Sequence, residues 1–322
     1  MKVVVIGLGS MGKRRIRLIR KYCDTIQIVG VETNEERRKK CEIEYEIDTF
    51  SNLLNIAQID CAFVCTPPLS HSGIIAQCLN QGAHVFTELN LVTDRYEENI
   101  ALAKQKKLVL FISSTLLYRA EITQIKILTQ QANCLLNYTY HIGQYLPNWH
   151  PWENYQDFFV ANKCSNGCRE IFAFELPWLS DVFGDIVKID VVKSKMSNLN
   201  IDYNDNYLVL IQHASGCKGV LAIDVVSRKA VRNLEVFGEQ LYLRWDGNPT
   251  GLYVYDYERK IDVNVQLYQE IDRFDNYSGF VVENAYLNEI SVFFEAVEQG
   301  KLTVYNFEKD KDILELIDRI ET

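Results

Sequence analysis

A short apolar run at residues 3–6 opens into G-x-G-x-x-G, with Gly7, Gly9 and Gly12 at the three fixed positions. Few local patterns restrict a chain so strongly, because each glycine answers a separate steric demand. Gly7 suits the tight turn out of a strand, Gly9 the close approach of main chain to a diphosphate, and Gly12 the packing of the next helix against the sheet. A helix beginning near Met11 then directs its free N–H groups and positive dipole end toward the phosphates. A second apolar run, residues 26–31, ends at Glu32, 20 residues past Gly12, where a dinucleotide fold places the carboxylate that holds the ribose hydroxyls. A carboxylate there repels a 2′-phosphate, so NAD is expected ahead of NADP. Arg37, Arg38 and Lys39 follow and read either as reaching such a phosphate or as a solvated helix face.

With 322 residues and 48% hydrophobic content, the chain has material for two packed cores. A net charge of −9 with no basic stripe argues against a nucleic-acid partner. No apolar run approaches the ~20 residues needed to span a bilayer, and the N-terminus reads as a strand rather than a leader. The expectation is a cytoplasmic protein with no membrane partner. Nine cysteines without a secretion signal read as reduced thiols. Cys164 and Cys168 are spaced C-x-x-x-C with no second ligand pair, so no metal site is expected.

Apolar runs alternate with helical periodicity through residues 1–118, the pattern of an α/β, doubly wound parallel sheet. A strand at 61–65 runs into Thr66-Pro67-Pro68-Leu69-Ser70-His71, where two prolines hold the loop extended at the carboxyl edge of the sheet. The next strand, 84–87, ends in Glu88-Leu89-Asn90. A helix is expected from about Ser51. The boundary falls in a short crossover at 117–119, and residues 119–322 form a C-terminal α+β domain. Its strands are expected at 134–142, 207–212, 220–226, 233–237, 241–245 and 252–257, with turns at Ser215-Gly216 and Asp246-Gly247, giving a largely antiparallel open sheet. Helices are expected at 284–299 and 306–320.

The order of glycine fingerprint, Glu32, T-P-P-x-x-H at 66–71 and Glu88 resembles the Gfo/Idh/MocA family of nicotinamide-dependent oxidoreductases. The resemblance implies a Rossmann domain joined to an α+β substrate domain whose open sheet face makes a homo-oligomer. It also implies hydride transfer to or from a sugar, nucleotide-sugar or related polyol. By position, Gly7, Gly9, Ser10, Met11 and Gly12 match the pyrophosphate loop, and Glu32 the adenosine ribose site. Thr66, Pro67 and His71 match the loop under the nicotinamide half, and Glu88 the carboxylate near its ribose. His71 reads equally as a helix-start residue packed against that loop. An aromatic loop at 143–155 looks like a subgroup associated with bacterial surface-sugar pathways.

The chain departs from the family where chemistry is done. Glu-Lys-Pro is usual at the site written here Glu88-Leu89-Asn90, so Leu89 replaces the lysine that assists proton transfer. An Asp-x-x-x-His helix signature falls on residues 169–178, with Glu170 at the aspartate and Phe174 at the histidine. Substitute acid/base groups are His150, Glu153, Glu170 and Glu175, of which Glu153 reads rather as a solvated or loop-bracing carboxylate. His150 reads either as catalytic or as a loop histidine fixing the aromatic segment. Glu175 lies in an apolar helix, where a carboxylate is neutral or paired. Three functions follow: an NAD(P)-dependent oxidoreductase with a rearranged acid/base set, a cofactor-binding protein without turnover, or an enzyme using bound NAD with no net redox.

Overall fold

The computed structural model describes residues 1–149, 153–273 and 279–322. They form two compact units, one of residues 1–114 with 286–314 and the other of residues 115–285 with 315–322. The first sheet takes β1 (Lys2–Ile6), β2 (Gln27–Val31), β3 (Asp48–Phe50), β4 (Cys61–Val64), β5 (His84–Thr87) and β6 (Leu110–Ile112). These strands are short, almost continuous apolar runs, with β4 buried at every position. That is what a parallel sheet covered on both faces requires. All its pairings are parallel, in the order β3-β2-β1-β4-β5-β6. The chain moves outward on one side from β1 and on the other from β4, so the switch point lies between those two strands. Helices α1 (Ser10–Tyr22), α2 (Glu35–Tyr45), α3 (His71–Asn80) and α4 (Tyr96–Lys106) connect them.

Residues 286–314, expected in the C-terminal domain, return to the first unit. Apolar contact decides this. Phe63, Phe86 and Phe111 stack in a row across β4, β5 and β6 with centroids 4.7 and 5.0 Å apart, and Phe293 meets all three edge-on at 5.2, 5.6 and 5.8 Å. Such pairs contribute roughly 0.5–1.5 kcal/mol each beyond their buried area. The helix expected from Ser51 is only a single tight turn, Leu53–Asn55, started by the Asn52 side chain.

The second unit opens with α5 (Ala120–Gln131), β7 (Asn137–Gly143) and α6 (Gly167–Phe183). It continues through β8 (Ile186–Ser194), β9 (Asn206–His213), β10 (Lys218–Asp224), β11 (Val231–Phe237), β12 (Tyr242–Trp245), β13 (Leu252–Asp256) and β14 (Ile261–Asn264). Two further helices, α7 (Glu283–Gln299) and α8 (Phe307–Glu321), close the chain. The sheet order is β14-β13-β12-β11-β7-β10-β9-β8, antiparallel throughout except for β7 with β10. Strict alternation of buried and exposed residues along β9 gives the sheet one packed face. Tyr140 meets Trp178 of α6 at 5.5 Å, and Phe172 of α6 meets Tyr207 at 5.4 Å.

Helix α5 and strands β8 and β14 have weak signatures in the sequence. Isoleucines and threonines interrupt the helical period of α5, and β8 lies at the sheet edge with Lys188, Asp190 and Lys193 along it. Edge strands carry such charges because their open side faces water.

Candidate functional site

The glycine loop leaves β1 through Gly7, whose φ of +89° is the left-handed conformation glycine tolerates. A Cβ at Gly7 would lie 2.8 Å from the Cys65 carbonyl oxygen, and one at Gly12 would lie 1.9 Å from the Gly7 carbonyl oxygen. Both glycines are therefore demanded by the fold itself. Gly9 is different, since a Cβ there meets nothing within 4 Å and the residue has extended backbone at φ −74°, ψ −161°. Its side-chain position opens onto the start of α1, where Ser10 and Met11 begin the helix and first-turn N–H groups have no intrahelical acceptor. The residues thus fit a dinucleotide whose diphosphate rests on main chain at Gly9.

Glu32 ends β2 and is 8% exposed. Its carboxylate accepts the Leu8 N–H at 3.1 Å and the Asn34 N–H at 3.0 Å, with Arg37 Nη1 at 3.6 Å. Burial alone would raise its pKa, but those N–H donors and the Arg37 charge outweigh it and hold the group below the ordinary carboxylate value. Arg38 is committed to the carbonyls of Glu32 and Thr33, at 2.6 and 3.0 Å. Of the basic residues read as alternatives for a 2′-phosphate, Arg37 lies beside the Glu32 carboxylate and Arg38 beside its carbonyl.

At the end of β4 the Thr66-Pro67 loop is pinned by Ser70, whose hydroxyl donates to the Pro67 carbonyl at 2.7 Å and lies within hydrogen-bond distance of Thr66 Oγ1 at 2.8 Å. His71 is only 1% exposed, so the helix-start alternative holds for its side chain. Nε2 lies 2.7 Å from the Thr66 carbonyl oxygen and Nδ1 lies 2.7 Å from Asn90 Oδ1. Burial pushes the imidazole pKa down. His71 braces the loop from within, through the Thr66 main chain.

Asn90, where the family has proline, extends that bracing inward. Its Nδ2 donates to the Tyr96 hydroxyl at 2.7 Å, and the Tyr96 hydroxyl donates to Asp310. Asp310 also accepts the Tyr305 hydroxyl at 2.7 Å, and burial raises its carboxyl to about 6 despite those two donors. Leu89, in the lysine position, is buried at 9% exposure.

Glu88 ends β5 in a bidentate pair with Arg15 of α1, Nε to Oε1 at 2.6 Å and Nη2 to Oε2 at 3.1 Å. Arg15 also donates to Glu289 at 2.9 Å, and Glu289 accepts the Ser114 N–H at 2.7 Å. The Glu88 carboxylate is thus anchored by a buried guanidinium. Arg15, Asn90, Glu289 and Asp310 were not legible as partners, because separations of 73 residues for Arg15–Glu88 and 214 for Tyr96–Asp310 leave no local signal.

In the second unit the acid/base candidates separate. His150 lies outside the described residues. Glu175 is fully buried and paired, accepting the Tyr140 hydroxyl at 2.8 Å and the Trp178 Nε1–H at 2.7 Å, with Arg232 at 2.8 Å. Arg169, in the same helix, pairs with Asp318 and Glu321. Glu175 is thus paired, one of the two states the sequence reading allowed it. Glu170 is the reverse: its Oε2 is buried with no hydrogen-bond partner among the described residues, and desolvation raises its pKa to about 8. Among the described residues no cluster of His, Cys, Asp and Glu has the makings of a metal site, and no helix is long and apolar enough to cross a membrane.

Residues 1–114 match the family model GFO_IDH_MocA, described as an oxidoreductase family with an NAD-binding Rossmann fold. No curated protein matches the chain in sequence. Among solved structures, UDP-N-acetylglucosamine 3-dehydrogenase GnnA from Acidithiobacillus ferrooxidans is similar over 100% of this chain and 96% of its own, with TM-score 0.74 and 19% identity. Levoglucosan dehydrogenase in complex with NADH is similar over 100% and 95%, with TM-score 0.80 and 15% identity. Biliverdin reductase from Synechocystis sp. PCC 6803, in complex with biliverdin and NADP+, is similar over 99% and 97%, with TM-score 0.71 and 18% identity. At these identities the likeness is one of fold, and it extends over both units.

Proposed function

With residues 1–114 belonging to the Gfo/Idh/MocA oxidoreductases, whose Rossmann fold binds NAD, we propose that the protein is a nicotinamide-dependent oxidoreductase acting on a sugar, nucleotide-sugar or related polyol. The observation that carries this reading is Gly9, where the chain keeps a bare main-chain shelf that its own packing does not need. Gly7, Ser10, Met11 and Gly12 shape the diphosphate shelf, Glu32 holds the adenosine ribose, and Thr66, Pro67 and Glu88 line the nicotinamide half. The ionised Glu32 disfavours a 2′-phosphate, which supports NAD over NADP. A bound nicotinamide supplies hydride transfer at its ring.

Proton transfer at the substrate hydroxyl is assigned to Glu170. Leu89 has no proton to give, and Glu175 is held by three partners. A carboxyl titrating near 8 exchanges a proton within the working range of a general base. The outer face of the second sheet supports self-association: Val192 pairs with Leu208 across β8 and β9, Leu210 with Val220 across β9 and β10, and all four are exposed. A contiguous apolar face of this kind is covered in a homo-oligomer more readily than left in water.

A second reading, cofactor binding without turnover, is favoured by the buried Leu89 in the lysine position. Following nicotinamide absorbance during incubation of the protein and NAD+ with a panel of sugars and nucleotide-sugars separates the two. Reduction of the cofactor supports the oxidoreductase. Product formed with no net change in absorbance indicates a cycle internal to the bound cofactor. Tight binding with neither result supports the second reading.

A further inference from the structure

The buried side chains of His71, Asn90, Tyr96 and Asp310 stand in a file that begins at the Thr66 carbonyl and lies wholly within the first unit. Four contacts compose it: the Thr66 carbonyl with His71 Nε2, His71 Nδ1 with Asn90 Oδ1, Asn90 Nδ2 with the Tyr96 hydroxyl, and that hydroxyl with Asp310. Each contact needs one proton between its two heavy atoms. A neutral imidazole brings one N–H and a phenol one O–H, while an amide between two neighbours turns its nitrogen to one and its oxygen to the other. With Asp310 ionised, three protons therefore serve four contacts, and one pair of acceptors is left face to face.

The surroundings do not make good the deficit. Thr87 Oγ1 stands 3.2 Å from His71 Nδ1 and also 3.2 Å from the Glu88 carbonyl oxygen, so it adds a contact without relieving the one at 2.7 Å. Glu88 acts on His71 only through its charge. At the other end Tyr305 donates to the second Asp310 oxygen at 2.7 Å, and Asp312 bears on Tyr305 rather than on Asp310. Ser72, Asp94 and Asn99 border a cavity of about 10 Å³ beside His71, Asn90 and Tyr96, the size of one water. At 2.7 Å no water fits between the members themselves.

One additional proton meets every contact, in either of two ways. On Asp310 it lets the carboxyl donate to Tyr96, Tyr96 to the Asn90 oxygen and the Asn90 nitrogen to His71 Nδ1, with the amide turned over. On His71 it leaves the amide donating to Tyr96, between an imidazolium at one end and a carboxylate at the other. We propose that His71, Asn90, Tyr96 and Asp310 form a proton-dependent clasp on the Thr66–Pro67 loop, closed while the file holds its additional proton and loosened when that proton passes to solvent. Release leaves Asp310 ionised and His71 neutral. The carboxylate, as the strongest acceptor, keeps the Tyr96 hydroxyl, which keeps the Asn90 nitrogen. The mismatch then falls between the Asn90 oxygen and a bare His71 Nδ1, and the imidazole that braces Thr66 is pushed from its place. Burial raises the Asp310 carboxyl to about 6 and pushes the imidazole down, so the proton rests mainly at Asp310 and leaves as pH rises into the neutral range. The clasp does not depend on what the loop binds.

The test is hydrogen–deuterium exchange of the full chain at about pH 5 and about pH 8, read over residues 66–71 as protection factors, which remove the intrinsic pH dependence of exchange. In the unaltered protein, protection of this segment falls about tenfold from the lower pH to the higher, the size of one mismatched buried hydrogen bond. Asp310→Asn brings an N–H of its own to Tyr96, so neutral groups meet every contact and protection is the same at both pH values. Tyr96→Phe cuts the file in the middle, leaves Asp310 to titrate alone, and likewise abolishes the dependence. A fall that survives in either folded variant overturns the inference, because it then arises outside the file. Protection in the unaltered protein that is equal at both pH values, or higher at the upper one, overturns it without recourse to any variant.

Discussion

The glycine loop permits a paired experiment in which fold and ligand binding respond to different residues. Replacing Gly9 by valine adds a side chain where no protein atom lies within 4 Å and where the backbone angles suit any residue. Stability should be unchanged or raised by a few tenths of a kcal/mol up to about 1, because an extended glycine costs more entropy to order than a residue with a Cβ. Cofactor affinity should collapse. A valine on the shelf displaces the diphosphate, with about 1–3 kcal/mol of overpacking and the loss of a charge-assisted hydrogen bond of about 1.5–3 kcal/mol. The sum, ~2.5–6 kcal/mol, corresponds to roughly 10²- to 10⁴-fold in Kd. Gly12→Ala should do the opposite, since its Cβ would stand 1.9 Å from the Gly7 carbonyl oxygen and main chain must move. That variant loses about 3 kcal/mol or more of stability, at or beyond the upper end of overpacking costs. Urea unfolding and calorimetric NAD+ titration, run on both variants, read the two effects separately. If Gly9→Val binds NAD+ like the unaltered protein, or unfolds as readily as Gly12→Ala, the shelf is not a ligand surface.

Glu170→Gln should cut turnover of whatever substrate is found by about 10²- to 10⁴-fold without altering NAD+ affinity. In the unaltered enzyme the oxidation rate should fall as pH drops below the Glu170 value of about 8; a flat profile and full activity in the variant would remove Glu170 from the reaction. Asp310 binds a proton in the folded state up to about pH 6, whereas the unfolded chain releases it near the ordinary aspartate value of 3.8. Between those pH values the folded state holds the extra proton, so its stability declines as pH rises, by on the order of 3 kcal/mol in total. Asp310→Asn should remove that slope in denaturant melts at about pH 4 and pH 7, and an unaltered slope would refute the assignment. Leu210→Glu on the exposed face of β9 should dissociate the oligomer in sedimentation, and a monomeric unaltered protein at micromolar concentration would dispose of the interface.

Much of the first unit was legible because its signals are local. The strands are apolar runs, the glycines fall within a dozen residues, and Glu32 follows β2 directly. The Thr66-Pro67 loop was legible for the same reason, since prolines restrict the chain where they stand. His71 was left open between two readings, and only its 1% exposure decided for the packed one. Glu170 and Glu175 are five residues apart on one helix with similar neighbours in sequence, yet one carboxylate is met by Tyr140, Trp178 and Arg232 and the other has a buried oxygen with no hydrogen-bond partner among the described residues. Periodicity shows that a side chain is buried; it does not show what waits for it there.

The sequence by itself determined the dinucleotide cradle and the succession of a parallel sheet by a largely antiparallel one, since backbone freedom and hydrophobic period are written residue by residue. Tertiary structure alone decided which charges meet. Arg15 finds Glu88 and Glu289, Asp310 closes the line from His71 through Asn90 and Tyr96, and residues 286–314 return to the first unit on the strength of the Phe293 contacts. Those pairings depend on distance in space, and electrostatic and packing energies fall off within a few ångströms whatever the separation along the chain.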